Sequence, residues 1–476
     1  MADNYWSGKE TEDDFDPIGS FLSELADLEE EEEEFRSDFF QGLAGRRRKA
    51  AFVLMTIWAV TIALHLVSWG YWIVIAISGL IAIHTLRVIA AKPELLSEFL
   101  AEEQLASAAK VSLIVAAKNE EAVIANLMKS LCSLDYPVDK YEVWAIDDHS
   151  SDRTPVILDE LAQEYPQLKV IHRPVNAGGG KSGALNQVLP LTQGEIIGVF
   201  DADAQVTQDL LRRVVPFFAS GDIGAVQVRK AIANSEENFW TKGQEAEMAL
   251  DSYVQQQRIA IGGIGELRGN GQFVRSSALK SCGCWNEETI TDDLDLTIRL
   301  HLDNWKIGFL LTPAVKEEGV TSAIALWHQR NRWAEGGYQR YLDYWRFIFR
   351  SPMGWRKRID LLTFVLLQYI LPAAAIPDLI MGVIRHRLPL YGPLTALLFL
   401  LAFLGMLKGS ISTLENKQLN FSHLLTIFAK NLVGIVYMLH WQVVMPSITA
   451  RMSVRPKRLK WVKTVHAGAA REKFEF

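Results

Sequence analysis

The chain has 476 residues, 49% of them hydrophobic, with 14 Trp and 22 Phe; it is too apolar for an ordinary soluble enzyme, and membrane segments are expected beside a large domain. Its 3 cysteines exclude a disulfide framework, and Cys282-Gly283-Cys284 is too tight and too poor in further ligands for zinc, so a reducing compartment is expected. The net charge of −7 conceals an asymmetry: residues 1–40 hold 15 Asp/Glu against 2 Lys/Arg, which leaves the remaining chain mildly basic at +6.

Residues 1–45 read as an acidic, disordered tail, because the run Glu29 to Glu34 repels itself and has no apolar period with which to bury a core. An acidic start is the reverse of a signal peptide's basic one, so no cleavable signal is expected. Arg46-Arg47-Arg48-Lys49 then precedes two apolar runs, 50–68 and 71–90, split only by Trp69-Gly70. Each can cross a hydrocarbon core of about 30 Å, and the basic flank sets the N-terminus on the cytoplasmic side. Residues 46–92 are therefore expected to form a transmembrane hairpin.

From 105 to 335 strand and helix patterns alternate. Val111 to Ala117, Tyr141 to Ile146, Leu168 to Ile171, Ile196 to Phe200 and Ile223 to Val228 read as strands. Helices are expected over Glu120 to Cys132, after a Thr154 cap with Pro155 in the first turn, and over Lys181 to Leu189. Such alternation predicts a largely parallel sheet with ligands held beyond the strands' carboxyl ends. Three of those ends carry polar groups: Lys118-Asn119-Glu120, Asp147-Asp148, and Asp201-Ala202-Asp203. Paired oxygen donors at Asp201 and Asp203 suit Mg²⁺, with Mn²⁺ an alternative, shared with a diphosphate. Taken alone, the pair reads more readily as two solvated acids in a loop. The stretch Gly178-Gly179-Gly180-Lys181 can present backbone N–H groups to an anion but lacks the Walker spacing, and a flexible linker would look similar. Gly269 to Arg275 suggests a close backbone approach followed by a guanidinium, and Thr291-Asp292-Asp293 opens a helix.

Beyond the domain, Gln329-Arg330-Asn331-Arg332-Trp333 sits on a helical segment. The aromatic and arginine-rich run Tyr338 to Arg350 suits a helix lying in the headgroup region, with core packing as the competing reading, and 336–358 is taken as interfacial. Apolar runs recur at 360–383, 390–408 and 422–446 within a C-terminal membrane part at 359–448. Because the basic tail at 449–476 should be cytoplasmic, the 360–383 run, interrupted by Pro372, Pro377 and Asp378, is expected not to cross, which leaves four spans.

Taken in order, Lys118-Asn119-Glu120, Asp147-Asp148, Gly180 to Asn186, Asp201-Ala202-Asp203, Thr291-Asp292-Asp293 and Gln329 to Trp333 resemble the membrane-embedded family 2 inverting glycosyltransferases. The resemblance implies an α/β GT-A nucleotide-diphospho-sugar transferase domain inserted between α-helical transmembrane segments. By it, Glu120, Asp148, Lys181 and Asp201 would bind the nucleotide sugar, Asp203 the metal, and Asp293 would be the catalytic base. Gln329, Arg332 and Trp333 would line the acceptor and diphosphate site. Asp292 departs from the family's usual Glu, and Trp461-Val462-Lys463-Thr464 resembles a C-terminal loop that closes over the nucleotide. The acidic start, short hairpin and modest C-terminal membrane part are similar to glycolipid-making members, which implies UDP-glucose as donor and diacylglycerol as acceptor. Membrane lipids are then expected as partners, and no nucleic acid or protein. A processive polysaccharide synthase is the alternative, disfavoured because about four spans are thin for enclosing a sugar polymer. A transferase acting on polyprenyl phosphate and a catalytically dead scaffold are more distant readings.

Overall fold

The computed structural model describes residues 45–93, 99–414 and 420–454. The acidic tail, except its last residue, and the Trp461-Val462-Lys463-Thr464 segment lie outside the described residues.

Seven strands form one sheet in the order β3-β2-β1-β4-β6-β5-β7. They are β1 Val111–Ala117, β2 Tyr141–Asp147, β3 Leu168–His172, β4 Ile196–Phe200, β5 Ile223–Ile232, β6 Gln272–Arg275 and β7 Lys306–Glu317. All neighbours pair in parallel except β6, which runs antiparallel between β4 and β5. Strands covered on both faces need unbroken apolar runs, and β1 has one. Its side chains alternate: Leu113 and Val115 enter one core with Ile124, Leu127 and Leu158, while Ile114 enters the opposite core with Ile197, Val199 and Leu185. Because Ala117 pairs with Asp147 and Val115 with Phe200, the polar segments after β1, β2 and β4 emerge at one edge. The parallel pair β5–β7 brings Lys230 and Glu317 to that same edge.

The helix expected from Glu120 begins at Ile124, after a turn at 121–123. Thr154 is the first residue of its helix and not the cap. Its hydroxyl is occupied elsewhere, accepting the Glu120 N–H at 2.8 Å, while Asp152 accepts the Thr154 N–H at 2.9 Å. The guanidinium of Arg275 points away from the ligand edge, donating to the carbonyls of Ile223 and Phe218. β6 and β7 are absent from the expected strands; β6 is short, and β7 mixes exposed and buried positions without strict alternation.

Five helices among the described residues are long and apolar enough to cross a membrane: Arg46–Leu66, Gly70–Ile89, Trp355–Ile384, Gly392–Ser412 and Phe421–Val454. The 360–383 run, expected not to cross, thus lies in a helix long and apolar enough to do so. Its prolines leave the helix unbroken, with a π-turn at Leu366–Ile370 in place of a kink. The run Tyr338 to Arg350 continues the Ala323–Arg350 helix without a break. At its end Trp345, Phe347 and Phe349 are exposed, whereas Tyr338, Tyr341 and Leu342 are packed in a core with Ile264, Leu361 and Ile448, the competing reading for that part of the run.

Two devices join the sheet domain to the membrane helices. Along the Phe239–Ala260 helix, Gly409 meets Ala249 and Gly405 meets Leu250, while Gly243 lies against Tyr437. A Cβ on Gly409 would stand 2.1 Å from the Ala249 carbonyl oxygen, so the two backbones touch as small residues allow in membranes. Below this contact Glu266, fully buried, meets Arg268 at 2.5 Å, Arg340 at 3.1 Å and Arg258 at 3.8 Å. Arg258 also grips Asp360 at 3.0 Å, and Arg268 grips Asp251 at 2.7 Å. Three carboxylates answer three guanidinium groups. Burial alone would push the Glu266 carboxyl up, but Arg340, Arg268 and Arg258 outweigh it and hold it well below the usual range.

Gly409→Leu should lower the melting temperature of the detergent-purified protein by several degrees, whereas Gly79→Leu, with nothing within 4 Å of its added carbon, should leave it unchanged. Glu266→Gln removes one partner from a buried ion cluster, a change that costs about 3–5 kcal/mol. Thermal unfolding followed by tryptophan fluorescence should register it as the larger of the two losses.

Candidate active site

A cavity of about 940 Å³ opens at the carboxyl edge of the sheet. All nine residues singled out from the sequence line it: Glu120, Asp148, Lys181, Asp201, Asp203, Asp293, Gln329, Arg332 and Trp333. They arrive on three supports.

The first support is the turn after β1, the end of β2 and the glycine loop. Asn119 is left-handed at φ 53°, which folds the chain back and buries Glu120. Asp148 donates its N–H to the Ala117 carbonyl at 2.8 Å, fixing it beside that turn. Its carboxylate accepts Arg173 Nη1 at 2.6 Å. Arg173 also binds the Gly178 carbonyl at 2.6 Å, so it ties the glycine loop to the strand end. Gly179 at φ 79° precedes the Gly180–Val188 helix, and Lys181 lies in that helix's first turn. Its ammonium reaches Asp201 Oδ1 at 2.5 Å. Burial works against the Lys181 charge, but Asp201, with Asp292 and Asp293 behind it, raises its pKa. Burial likewise opposes the Asp201 charge, and Lys181 overcomes it, so the Asp201 carboxyl sits below its ordinary value.

The second support is the end of β4 against the ends of β5 and β7. Asp203 accepts the Glu318 N–H at 2.9 Å. Burial first, then Glu317 and Asp201, push its carboxyl up to about 7. Lys230 pairs with Glu317 at 2.8 Å and stands 5.4 Å from the Trp333 ring centre. Acid is therefore in excess around Asp203, where a divalent cation would relieve the repulsion. No group of three or more His, Cys, Asp or Glu at metal-holding distance occurs among the described residues. A donor set of one or two carboxylates suits a cation that takes its remaining ligands from water and a diphosphate.

The third support is the start of the Asp292–Leu302 helix and the Ala323–Arg350 helix that crosses it. Gly336 makes the crossing possible, since a Cβ there would lie 2.2 Å from Thr291 Oγ1. Asp293 also faces Gly269, whose added carbon would be 3.5 Å from Oδ2. Burial, then the neighbouring Asp292, push the Asp293 carboxyl up to about 6. Burial lowers the pKa of Arg332 against the attraction of Asp201, Asp293 and Asp292. Gln329 keeps a buried Oε1 with no hydrogen-bond partner among the described residues. Trp333 is stacked by Arg330, whose guanidinium lies 4.0 Å from the ring and is held by Glu247 at 2.5 Å and the Tyr437 hydroxyl at 2.9 Å.

Sequence reasoning missed Arg173, Lys230, Glu317 and Arg330. Lys230 and Glu317 stand near the ends of strands, and the same strand-end rule that selected Asp201 would have found them had β5 been carried past Val228 and β7 been recognised. Arg330 stood within the Gln329 to Trp333 motif and Arg173 shortly before the glycine stretch, but nothing in their spacing says which side chain each supports.

The family model described as Glycosyl transferase family 2 matches residues 112–283. The beta-monoglucosyldiacylglycerol synthase of Synechocystis sp. is 58% identical over 98% of this chain and 98% of its own length. That of Trichormus variabilis is 59% identical over 98% of this chain and 100% of its own. Among solved structures, the mannosyltransferase PcManGT from Pyrobaculum calidifontis, in complex with GDP-Man and Mn²⁺, matches with a TM-score of 0.50 at 20% identity, covering 80% of this chain and 99% of that one. That likeness is one of fold, and the sheet domain is of the GT-A type. With such identity along nearly the whole length, the chain belongs to glycosyl transferase family 2, in the same family as the beta-monoglucosyldiacylglycerol synthases.

Proposed function

We propose that the protein is an inverting glucosyltransferase that moves glucose from UDP-glucose to 1,2-diacylglycerol, giving beta-monoglucosyldiacylglycerol and UDP. The observation that carries this reading is the 58–59% identity, over 98% of the chain, to synthases of that name. The cavity supports it by joining a polar edge of the sheet to helices able to span a membrane. The processive-synthase alternative gains no support from those relatives. The transferase unit is taken as 105–335, between membrane parts at 46–92 and 359–448, with the catalytic domain and both termini cytoplasmic.

In this reading Glu120 and Asp148 hold the nucleoside, and Lys181 and Asp201 lie along the nucleotide. Asp203 would hold a divalent cation, Mg²⁺ in our assignment and Mn²⁺ as the alternative; its chemistry is to neutralise charge on the diphosphate. The Asp293 carboxylate accepts the proton of the acceptor hydroxyl as that oxygen attacks the anomeric carbon. The new C–O bond forms as the bond to the diphosphate oxygen breaks, and the electron pair leaves with UDP. Arg332 offsets the charge that grows on the leaving group, with Gln329 and Trp333 lining the acceptor side. A single displacement inverts the centre, so an α-linked donor gives a β-glucoside.

A carboxyl raised to about 6 suits this role, being ionised near neutrality yet basic enough to take a proton. Detergent-purified protein with Mg²⁺, labelled UDP-glucose and diacylglycerol should yield one discrete glucolipid in the organic phase. Label found only in a polymer would overturn the reading. Asp293→Asn should reduce transfer by ~10²–10⁴-fold, the usual contribution of a positioned base, with UDP binding retained. Full turnover by that variant would remove Asp293 as the base.

The base must be ionised to act, so at saturating Mg²⁺ the rate should fall as pH drops through about 6 and level off above it. Asp203, raised to about 7, takes up its proton first. Apparent Mg²⁺ affinity should therefore weaken already between pH 7 and 6, readable as a rising half-saturation concentration.

A further inference from the structure

The cavity does not end at the catalytic edge. It continues into the membrane part, between the Trp355–Ile384 and Gly392–Ser412 helices. These two follow each other in the chain, yet they do not pack together along their lengths. The first lies on Arg46–Leu66 and Trp441–Val454, and the second lies on Phe239–Ala260 and Phe421–Met438. A splayed hairpin leaves a cleft. Leu367 and Leu371 line it from one side, and Leu398, Phe399 and Ala402 from the other, none of them charged. The π-turn at Leu366–Ile370 falls on this wall, where it turns Leu367, Gln368 and Tyr369 together into the cavity. Such turns recur at functional sites. Gln368 Oε1 is buried there with no hydrogen-bond partner among the described residues, so one end of this amide is left for a ligand to satisfy.

We propose that this cleft is the acceptor-lipid site: a neutral two-chain lipid enters sideways from the bilayer, lays its acyl chains between the two helices, and sets an ester carbonyl against the Gln368 amide, which turns its N–H toward it and leaves the lipid's one hydroxyl for Asp293. The proposal rests on the glucosyltransferase reading for the identity of that lipid as a diacylglycerol. Charge selects a neutral head. Where the cleft meets the catalytic edge, Arg268 is engaged by Asp251 and Glu266, and Arg340 by Glu266. Arg340 keeps Nε and Nη1 without a partner among the described residues, but with Arg258 and Asp360 the set holds three carboxylates against three guanidinium groups and no net positive charge, so a lipid phosphate would bring an unanswered charge into a buried place. The cavity, at about 940 Å³, lies at the upper end of the roughly 300–1,000 Å³ that single drug-sized ligands occupy. Of the 338–350 run only Arg340 lines the cavity, while Tyr338, Tyr341 and Leu342 are packed in a core.

The test uses the full-length enzyme in lipid nanodiscs. Ala402→Trp fills the cleft, and Leu400→Trp, on an exposed position of the same helix, is the control. Ala402→Trp should lower transfer to dioleoylglycerol by at least ~10-fold, chiefly through the acceptor KM, with UDP-glucose affinity unchanged and dihexanoylglycerol affected less. Gln368→Leu should raise the acceptor KM by ~5-fold for both lipids, the size of one lost hydrogen bond. Leu400→Trp should match the unaltered enzyme. Equal effects of Ala402→Trp and Leu400→Trp would overturn the proposal. A diacylglycerol carrying a photoactivatable acyl chain, applied to the unaltered enzyme, gives a readout free of folding defects. Label on peptides spanning 364–372 and 395–402 supports the cleft, and label confined to 344–350 overturns it. If the unaltered enzyme glucosylates no diacylglycerol yet labels in the cleft, the donor–acceptor reading fails while the lipid site stands.

Discussion

Glu266 has no access to water and touches three arginines, and the geometry of the enzyme hangs on that contact. Arg258 comes from the Phe239–Ala260 helix, Arg340 from the Ala323–Arg350 helix, and Asp360, held by Arg258, from the first long C-terminal helix. One carboxylate thus ties the element beneath the sheet to the element carrying Arg332 and Trp333, and through Asp360 to a helix able to cross the membrane. In a low-dielectric place such charges are tolerable only as a complete set, because each unpaired member costs several kcal/mol. The set is balanced, with Asp251, Glu266 and Asp360 against Arg258, Arg268 and Arg340. Its effect is to hold the catalytic edge at a set depth relative to the membrane helices.

The active-site charges are divided on a similar principle but left incomplete. Asp201 is neutralised by Lys181 and held below its ordinary value, whereas Asp203 and Asp293 are both raised, each by burial and a neighbouring acid. Environments that push carboxylates apart allow one residue type to serve several roles. In the proposed mechanism the raised pair are the two that act on a cation and on a proton, while the lowered one remains a fixed charge. Gln329 and Gln368 both line the cavity and each has a buried oxygen without a partner among the described residues.

The long helix from Ala323 to Arg350 shows how one element serves both halves of the molecule. Its first turns carry Gln329, Arg332 and Trp333 to the cavity, and Arg330 turns the other way to meet Glu247 and Tyr437. Gly336 lets it press on Thr291, next to Asp293, and Gly337 admits the Tyr369 hydroxyl from the π-turn. Its exposed end, with Trp345, Phe347 and Phe349, is the part suited to a headgroup region.

Much of this was legible in the residues. The apolar runs of β1, β2 and β4, and the acids at their ends, are local signals: a buried parallel strand needs continuous hydrophobicity, and its carboxyl end is where polar side chains become useful. The same rule located Glu120, Asp148, Asp201 and Asp203, and the motif order added Lys181, Asp293, Gln329, Arg332 and Trp333, all of which line one cavity. Other features were illegible because they depend on partners far along the chain. That Tyr338 and Tyr341 pack inward rather than float at an interface follows from Tyr369, which the first stacks on and the second meets edge-on. Which arginines of the cluster are answered by which acids is set across up to 102 residues of chain. Sequence by itself determined five of the seven strands, the ligand edge and most of the polar groups there, since periodicity and strand ends are short-range physics. Tertiary structure alone decided that the C-terminal hairpin splays and lets the cavity continue toward the bilayer, because helix packing is chosen by shape between elements that no local pattern relates.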